Sequence, residues 1–315
     1  MHKILIGSPI RQKPNILKQF LSGLTEADYR GLDVAYYFVD DNKDNDSSGL
    51  LFDFLESNKN VIIKKGSDLL AQNVDSDYVC SDDEHHWKSE NITRITIFKD
   101  SIIEYCIAEK FDYLFLVDSD IVIDKRSVKQ LISRNVDIVS NVFWTQWQIN
   151  KNLSPQCFWI PDLYQQNIAF NEKMPVDEAN RIRSETDEKL KKPGIYKVDG
   201  LGACTMISLS ALKKGVRFKE IPNLSVPGED RHFCIRAGSL GIDLFMDTVY
   251  PVYHIYREEY LDRVNEFKSD GFKFDMCQTF LDTDDADIDM GKSMFYDKIY
   301  RKLRQIARRV IKHKN

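Results

Sequence analysis

The first 120 residues alternate between short continuous apolar runs and stretches of helical periodicity. Ile4-Leu5-Ile6 is an apolar run that stops at Gly7-Ser8-Pro9, which predicts a buried strand followed by a loop. Pro14 then opens a helix in which Ile16, Leu17, Phe20, Leu21 and Leu24 share one face. Ala35-Tyr36-Tyr37-Phe38-Val39 predicts a second strand, ending at Asp40-Asp41-Asn42, and Val61-Ile62-Ile63 a short third one. Residues 66–91 carry little periodicity and read as a long polar loop. Ile92, Ile95, Ile102, Ile103, Cys106 and Ile107 recur at near-helical spacing and lead into Tyr113-Leu114-Phe115-Leu116-Val117, the length of one fully buried strand. Strands alternating with helices in this way imply an α/β protein, with a mostly parallel sheet and helices on both faces.

The second half is less regular. Residues 141–165 hold Trp144, Trp147 and Trp159, which either stack on a ligand or fill the core, while 170–193 are polar and read as a loop or exposed helix. Gly200-Leu201-Gly202 reads as a turn entering a strand, after which Ser208 or Ser210 starts a short helix. Pro227-Gly228-Glu229-Asp230 precedes a helix through Phe233, Cys234, Ala237 and Leu240 that stops at Gly241. Leu244-Phe245-Met246 and Val252-Tyr253-His254 read as two short closing strands.

Composition narrows the class. With 315 residues, 43% hydrophobic and 30% charged, the chain reads as ordinary globular protein. A net charge of −5 argues against nucleic acid as a partner. No apolar run is long enough to span a bilayer, the N-terminal apolar core is too short for a signal peptide, and the six cysteines are scattered. These features predict unpaired thiols and a cytoplasmic location. From Lys298 to Lys314 eight basic residues accompany Ile299, Leu303, Ile306 and Val310 at helical spacing. That pattern fits a docked terminal helix or a basic amphipathic helix lying on an anionic membrane surface, peripheral at its inner face.

Chemistry concentrates where the fourth apolar run stops, at Asp118-Ser119-Asp120. Carboxylates spaced i, i+2 at a strand's carboxyl end sit on the rim where α/β sheets bind ligands. Two hard oxygen ligands there suit Mg²⁺ or Mn²⁺ gripping a substrate's phosphates. Ser8, Asp40 and Asp41 end the first and second strands on the same rim.

Val39-Asp40-Asp41-Asn42, Val117-Asp118-Ser119-Asp120, Gly228-Glu229-Asp230 and His254, in that order, resemble the GT-A glycosyltransferases, most closely the family 2 type, over residues 1 to about 257. The resemblance implies a Rossmann-like GT-A fold and a metal-dependent transfer of sugar from a nucleoside diphosphate. It implies Asp118, Asp120 and His254 as ligands of Mn²⁺ or Mg²⁺, with Asp118 alternatively touching ribose or sugar. Asp40 and, first, Asp41 fall where such enzymes read the base, with uracil ranked ahead of guanine. Ser8 and Pro9 are expected in a loop against base or ribose, Ser119 and Gly200-Leu201-Gly202 beside the donor, and Arg94 within reach of the diphosphate. Asp230 falls at the general-base position of an inverting transfer, with Glu229 the runner-up or an acceptor ligand. Ile6-Gly7-Ser8-Pro9 with Arg11 is instead similar to the Anp1-like mannosyltransferases, which retain configuration, so the stereochemistry stays open.

The expected organisation is a nucleotide-sugar-binding half over 1–125, an acceptor-binding and catalytic half over 126–260, and a helical extension over 261–315. The acceptor is a hydroxyl of a glycan, a lipid-linked sugar or a protein. A sugar nucleotidyltransferase would show a Gly-rich basic loop after the first strand, and a non-catalytic scaffold on this fold would have shed Asp118, Asp120 or Asp230. A dinucleotide-binding dehydrogenase would show Gly-x-Gly-x-x-Gly.

Overall fold

Alternating side chains of the first strand are claimed by two different cores. In the computed structural model, which describes residues 1–70, 89–149, 151–155, 174–224 and 228–279, β1 (His2–Ile10) sends Ile4 and Ile6 against α1 (Pro14–Glu26) and Leu5 against α4 (Ser89–Ala108). β2 (Leu32–Asp40), β3 (Val61–Lys65) and β4 (Tyr113–Val117) extend the same two-sided pattern, with Leu114 and Leu116 on one face and Phe115 and Val117 on the other. Enclosing rings such as Phe20 and Phe98 fully is worth ~1.5–3 kcal/mol each, which fixes both helix layers.

The remaining strands are β5 (Ile121–Val122), β6 (Ile138–Asn141), β7 (Trp144–Thr145), β8 (Ser154–Pro155), β9 (Ile195–Val198), β10 (Cys204–Ser208), β11 (Leu244–Asp247) and β12 (Tyr253–His254). The remaining helices are α2 (Asn45–Ser57), α3 (Gly66–Leu69), α5 (Ser127–Ser133), α6 (Val176–Leu190), α7 (Leu209–Lys213), α8 (Glu229–Ser239) and α9 (Val264–Asp270). The main sheet runs β3-β2-β1-β4-β10-β6-β11-β9. β10 and β9 pair antiparallel with their neighbours and the other six strands share one direction, so the sheet is mostly parallel with helices on both faces. Two small ladders, β12–β5 and β7–β8, stand beside it.

Several boundaries differ from the sequence expectation. β1 runs through Gly7, Ser8 and Pro9, because β2 keeps pairing with it as far as Ile10↔Asp40. Its partner on the other side, β4, stops at Gly7↔Leu116, so Pro9 meets no ladder there and its missing N–H is tolerated. The segment 66–91 contributes α3 and the start of α4, while 71–88 lie outside the described residues. The polar stretch 170–193 holds α6, with acids in its first turn and Lys189 in its last. β6 and β9 were not evident in the sequence.

A third core cluster joins Ile16 and Val122 to Tyr253, Ile255, Tyr260, Val264, Phe267, Met276 and Cys277. The start of the C-terminal extension is therefore packed on the main body. The basic stretch 298–314 and Trp159 lie outside the described residues. Cys106, Cys204, Cys234 and Cys277 are buried free thiols, and burial pushes each thiol's pKa up. Among the described residues no helix is long and apolar enough to cross a membrane.

Candidate active site

The strand order β3-β2-β1-β4 reverses beside β1, and a crevice opens above the carboxyl ends there. On its β2–β3 side lies a pocket of about 170 Å³ lined by Arg11, Asp40, Asp41, Asn42, Lys43 and Lys65, with Ser67 and Arg94 closing it. The two aspartates divide the work. Asp40 points inward and is 3% exposed, accepting from Lys65 Nζ at 2.5 Å, Asn42 and Ser48. Burial pushes its pKa up, but these hydrogen bonds outweigh it and hold the carboxyl below its ordinary value. Asp41 faces two guanidiniums: Arg94 Nε donates to Oδ2 at 2.8 Å and Arg94 Nη2 to Oδ1, while Arg11 Nη1 lies 3.8 Å from Oδ2. Gly66 leaves the room this requires, since a Cβ there would sit 2.7 Å from Asp41 Oδ1.

Arg94 of α4 thus pairs with Asp41 at the end of β2. Ser8 and Pro9 are not in a loop; Ser8 is fully enclosed inside β1, and the loop begins at Arg11.

On the β4 side the apolar strand ends in a tight turn. Ile121 N–H closes back on Asp118 O at 3.1 Å, and Ser119 is buried in the turn. Asp118 N–H donates to Ala203 O at 2.7 Å, which fastens the Gly200–Ala203 turn directly onto the Asp-x-Asp segment. The left-handed residue of that turn is Ala203, with φ 54°, and not one of its glycines. Asp120 is tied to the last ladder: Ile255 N–H donates to Asp120 O at 2.9 Å, and His254 pairs in register with Ile121. This backbone pairing brings Asp120 Oδ2 to 3.5 Å from His254 Nε2. The other ring nitrogen, Nδ1, is 2.7 Å from Thr145 Oγ1, and Phe143 packs edge-on against the imidazole at 5.1 Å.

At the opposite wall, α8 begins with Glu229 and Asp230. Gly228 precedes them at φ 94°, a left-handed conformation that favours glycine and lets the chain turn sharply into the helix. Both acids meet Lys99 of α4, whose Nζ lies 2.9 Å from Glu229 Oε1 and 3.1 Å from Asp230 Oδ1. Lys99 is 3% exposed. Burial works to strip its proton, but the charges of Asp230, Glu229 and Asp118 outweigh that and raise its pKa. The carboxylates are crowded in turn. Burial pushes Asp118 up to about 7, opposed by Lys99 and reinforced by Asp120, Asp230 and Glu229. Asp230 is raised by burial and by Glu229, with Lys99 opposing.

The fold thus collects Asp118, Asp120, His254, Glu229 and Asp230 around one opening, with Asp41 and Arg94 in an adjoining pocket. Three carboxylates, Asp118, Glu229 and Asp230, act on one buried lysine, and Asp120 stands beside His254, so hard oxygen ligands are in surplus, which is the donor chemistry a divalent cation takes. Among the described residues no group of three or more His, Cys, Asp or Glu side chains is arranged to hold a metal ion. The Asp120–His254 pair fits a cation that completes its shell with substrate phosphates and water.

Lys99 and Thr145 carried no expectation from the sequence. Lys99 had a readable signal, because it falls on the stripe Ile95, Ile102, Cys106, where helical spacing calls for an apolar side chain. Thr145 had none, since its partner lies 109 residues away. The tryptophans split: Trp144 is 1% exposed and belongs to the core, whereas Trp147 is 48% exposed.

Residues 1–163 match the model for the glycosyltransferase family 25 N-terminal domain. A "Glycosyltransferase 25 family member" of Drosophila melanogaster is 25% identical over 138 residues, which is 44% of this chain and 22% of that protein. The chain thus aligns with about a fifth of that relative's length. Among solved structures, S. aureus TarS 1–349 is matched at 13% identity and a TM-score of 0.45, over 81% of this chain and 60% of that one. The same TarS fragment in complex with UDP is matched at 12% identity and a TM-score of 0.45, over 80% and 60%.

Proposed function

The chain belongs to glycosyltransferase family 25, whose N-terminal domain covers its first 163 residues, and from that premise we propose that it transfers a sugar from a UDP-sugar to an acceptor hydroxyl with inversion. The observation that carries this reading is the convergence of the Asp118/Asp120–His254 group and the Glu229–Asp230 pair on the rim beside the Asp41 pocket.

The pocket supports uracil as the base. Asp41 supplies an acceptor, with the Arg94 and Arg11 guanidiniums beside it as donors. The uracil edge offers the complement: a carbonyl, an N–H and a carbonyl. Guanine offers one carbonyl and two donors and leaves one guanidinium facing a donor. The Gly200–Ala203 turn, hydrogen-bonded to Asp118, supports a place for the donor sugar between turn and rim.

Asp120 and His254, with Asp118 beside them, would hold the divalent cation, and Thr145 orients the imidazole from behind. When bound, Mn²⁺ or Mg²⁺ offsets the negative charge that builds on the departing diphosphate. Asp230 takes the acceptor's hydroxyl proton as its oxygen attacks the anomeric carbon. The new C–O bond forms as the bond to the diphosphate breaks, and UDP leaves. Asp230 is preferred to Glu229 because its side chain is 24% exposed against 10% for Glu229. The acceptor is the hydroxyl of a glycan, a lipid-linked sugar or a protein.

Thermal unfolding with a nucleoside diphosphate panel, with Mn²⁺ or with chelator, tests this reading. A ligand at ~100 times its dissociation constant adds about 2.7 kcal/mol, a shift of several degrees. UDP is expected to raise the midpoint only with Mn²⁺, and Asp120→Asn to lose that increment while unfolding near the wild-type temperature. No shift with UDP would refute the donor assignment.

A further inference from the structure

Lys99 occupies a position that should be apolar. Its neighbours on the stripe, Ile102 and Cys106, are fully enclosed, and Ile95 packs on the same cluster. A lysine is retained in such a place only when its charge is paired. Here Nζ hydrogen-bonds Glu229 and Asp230 across the gap to α8, feels the charge of Asp118 on the β4 side, and lies 4.9 Å from the Phe218 ring centroid. Phe218 in turn stacks on Phe233 of α8 at 4.5 Å and 19°. The ammonium group is therefore held by two carboxylates and one ring, all fixed relative to α8.

We propose that Lys99 is a positioning residue, holding Asp230 by Oδ1 so that Oδ2 faces the acceptor hydroxyl. This rests on the reading of Asp230 as general base. The terminal torsion of an aspartate is broad and roughly two-fold, so an untethered carboxylate at the first turn of a helix turns freely. A base must stand within hydrogen-bond reach of the proton it takes, and small misplacements at a reacting centre are costly. Lys99 fixes one oxygen and thereby aims the other. Glu229 supplies the second anchor: it pins Nζ, so that the N–H aimed at Asp230 has a defined direction. That gives a reason for two adjacent acids at the start of α8, only one of which transfers a proton.

The test uses the full chain with Mn²⁺. It reads UDP release from a panel of UDP-sugars, UDP affinity and the unfolding midpoint. Lys99→Met is expected to lower turnover about 100-fold with UDP affinity unchanged. Lys99→Arg restores part of it, because the guanidinium fork can reach both carboxylates. The double variant Lys99→Met/Glu229→Gln, which removes an uncompensated buried charge, should regain stability lost in Lys99→Met but not turnover. A purely structural lysine would show both returning together. That outcome, or near wild-type turnover in Lys99→Met, overturns the proposal. Wild-type turnover in Asp230→Asn would instead remove the general base itself, separately from the Lys99 result.

Discussion

Gly66 opens α3 immediately after β3, and a methyl group there would crowd the base pocket. Its Cβ would lie 2.7 Å from Asp41 Oδ1, 2.9 Å from Phe98 Cζ and 3.3 Å from Asp41 Cβ. Asp41 Oδ1 and Phe98 Cζ both stand closer than a Cβ tolerates, and Asp41 Oδ1, the nearer, is the free end of its side chain while Phe98 is fully enclosed. Relief to ordinary contact at 3.4 Å asks for 0.7 Å of movement. A shift of that size stretches the 2.8 Å bond from Arg94 Nε beyond normal hydrogen-bond range. A hydrogen bond to a charged group is worth ~1.5–3 kcal/mol, which corresponds to roughly 10- to 100-fold in affinity. Gly66→Ala should weaken UDP binding by that factor, measured by titration calorimetry at fixed Mn²⁺. Gly49→Ala is the control: its Cβ would meet nothing within 4 Å, and alanine inside α2 gains ~0.5–1 kcal/mol over glycine. It should raise the unfolding midpoint and leave UDP affinity alone. A Gly66→Ala protein that binds UDP like wild type would refute Asp41 and Arg94 as the pair that reads the base.

Thr145→Val removes the partner of His254 Nδ1 at nearly constant volume, and should weaken Mn²⁺ binding ~10- to 100-fold in a direct metal titration. Unchanged Mn²⁺ affinity would show that the imidazole needs no orienting group. Acid sensitivity follows from Asp40 and Asp124. Burial pushes both pKa values up, but Lys65 with Asn42 and Ser48, and Arg126 respectively, outweigh it and hold them below the ordinary value. The unfolded chain then binds more protons as pH falls, so their contribution is full above about pH 4 and is lost as pH drops through the folded pKa values. The unfolding midpoint should fall below that pH, less steeply in Asp124→Asn, and equal slopes in the two proteins would contradict the assignment.

The parts of the site that the sequence revealed are those where a local pattern breaks abruptly. Tyr113–Val117 is uninterrupted apolar strand and the next residue is a carboxylate, so the strand's end on the rim is legible. Gly228-Glu229-Asp230 is legible for a similar reason, since a positive-φ glycine and first-turn acids mark one helix start. What stayed hidden depends on partners far away in the chain. Lys99 acquires meaning only when α8 arrives 130 positions later, and Thr145 only when β12 docks. Arg94 falls on α4 as its spacing predicts, but its pairing with Asp41, 53 positions earlier, is not legible because spacing gives a face and not a partner. β1 was drawn too short because Gly7-Ser8-Pro9 looks like a turn until β2 is seen to pair through it. β9 escaped because its edge position leaves Ile195 and Lys197 exposed, which blurs the alternation.

The ladder that joins β5 to β12 has a bearing on how the protein comes into being. Asp120 belongs to the first half of the chain and His254 to the second, and their approach depends on pairing that also needs Val264, Phe267, Met276 and Cys277 to close over Val122 and Ile16. The residues of the base pocket, by contrast, all lie within β1 to α4. During synthesis every residue of that pocket is therefore made while β12 is still to come. Long-range pairing of this kind comes last in assembly. The approach of Asp120 to His254 is therefore a late event tied to the docking of the final strand.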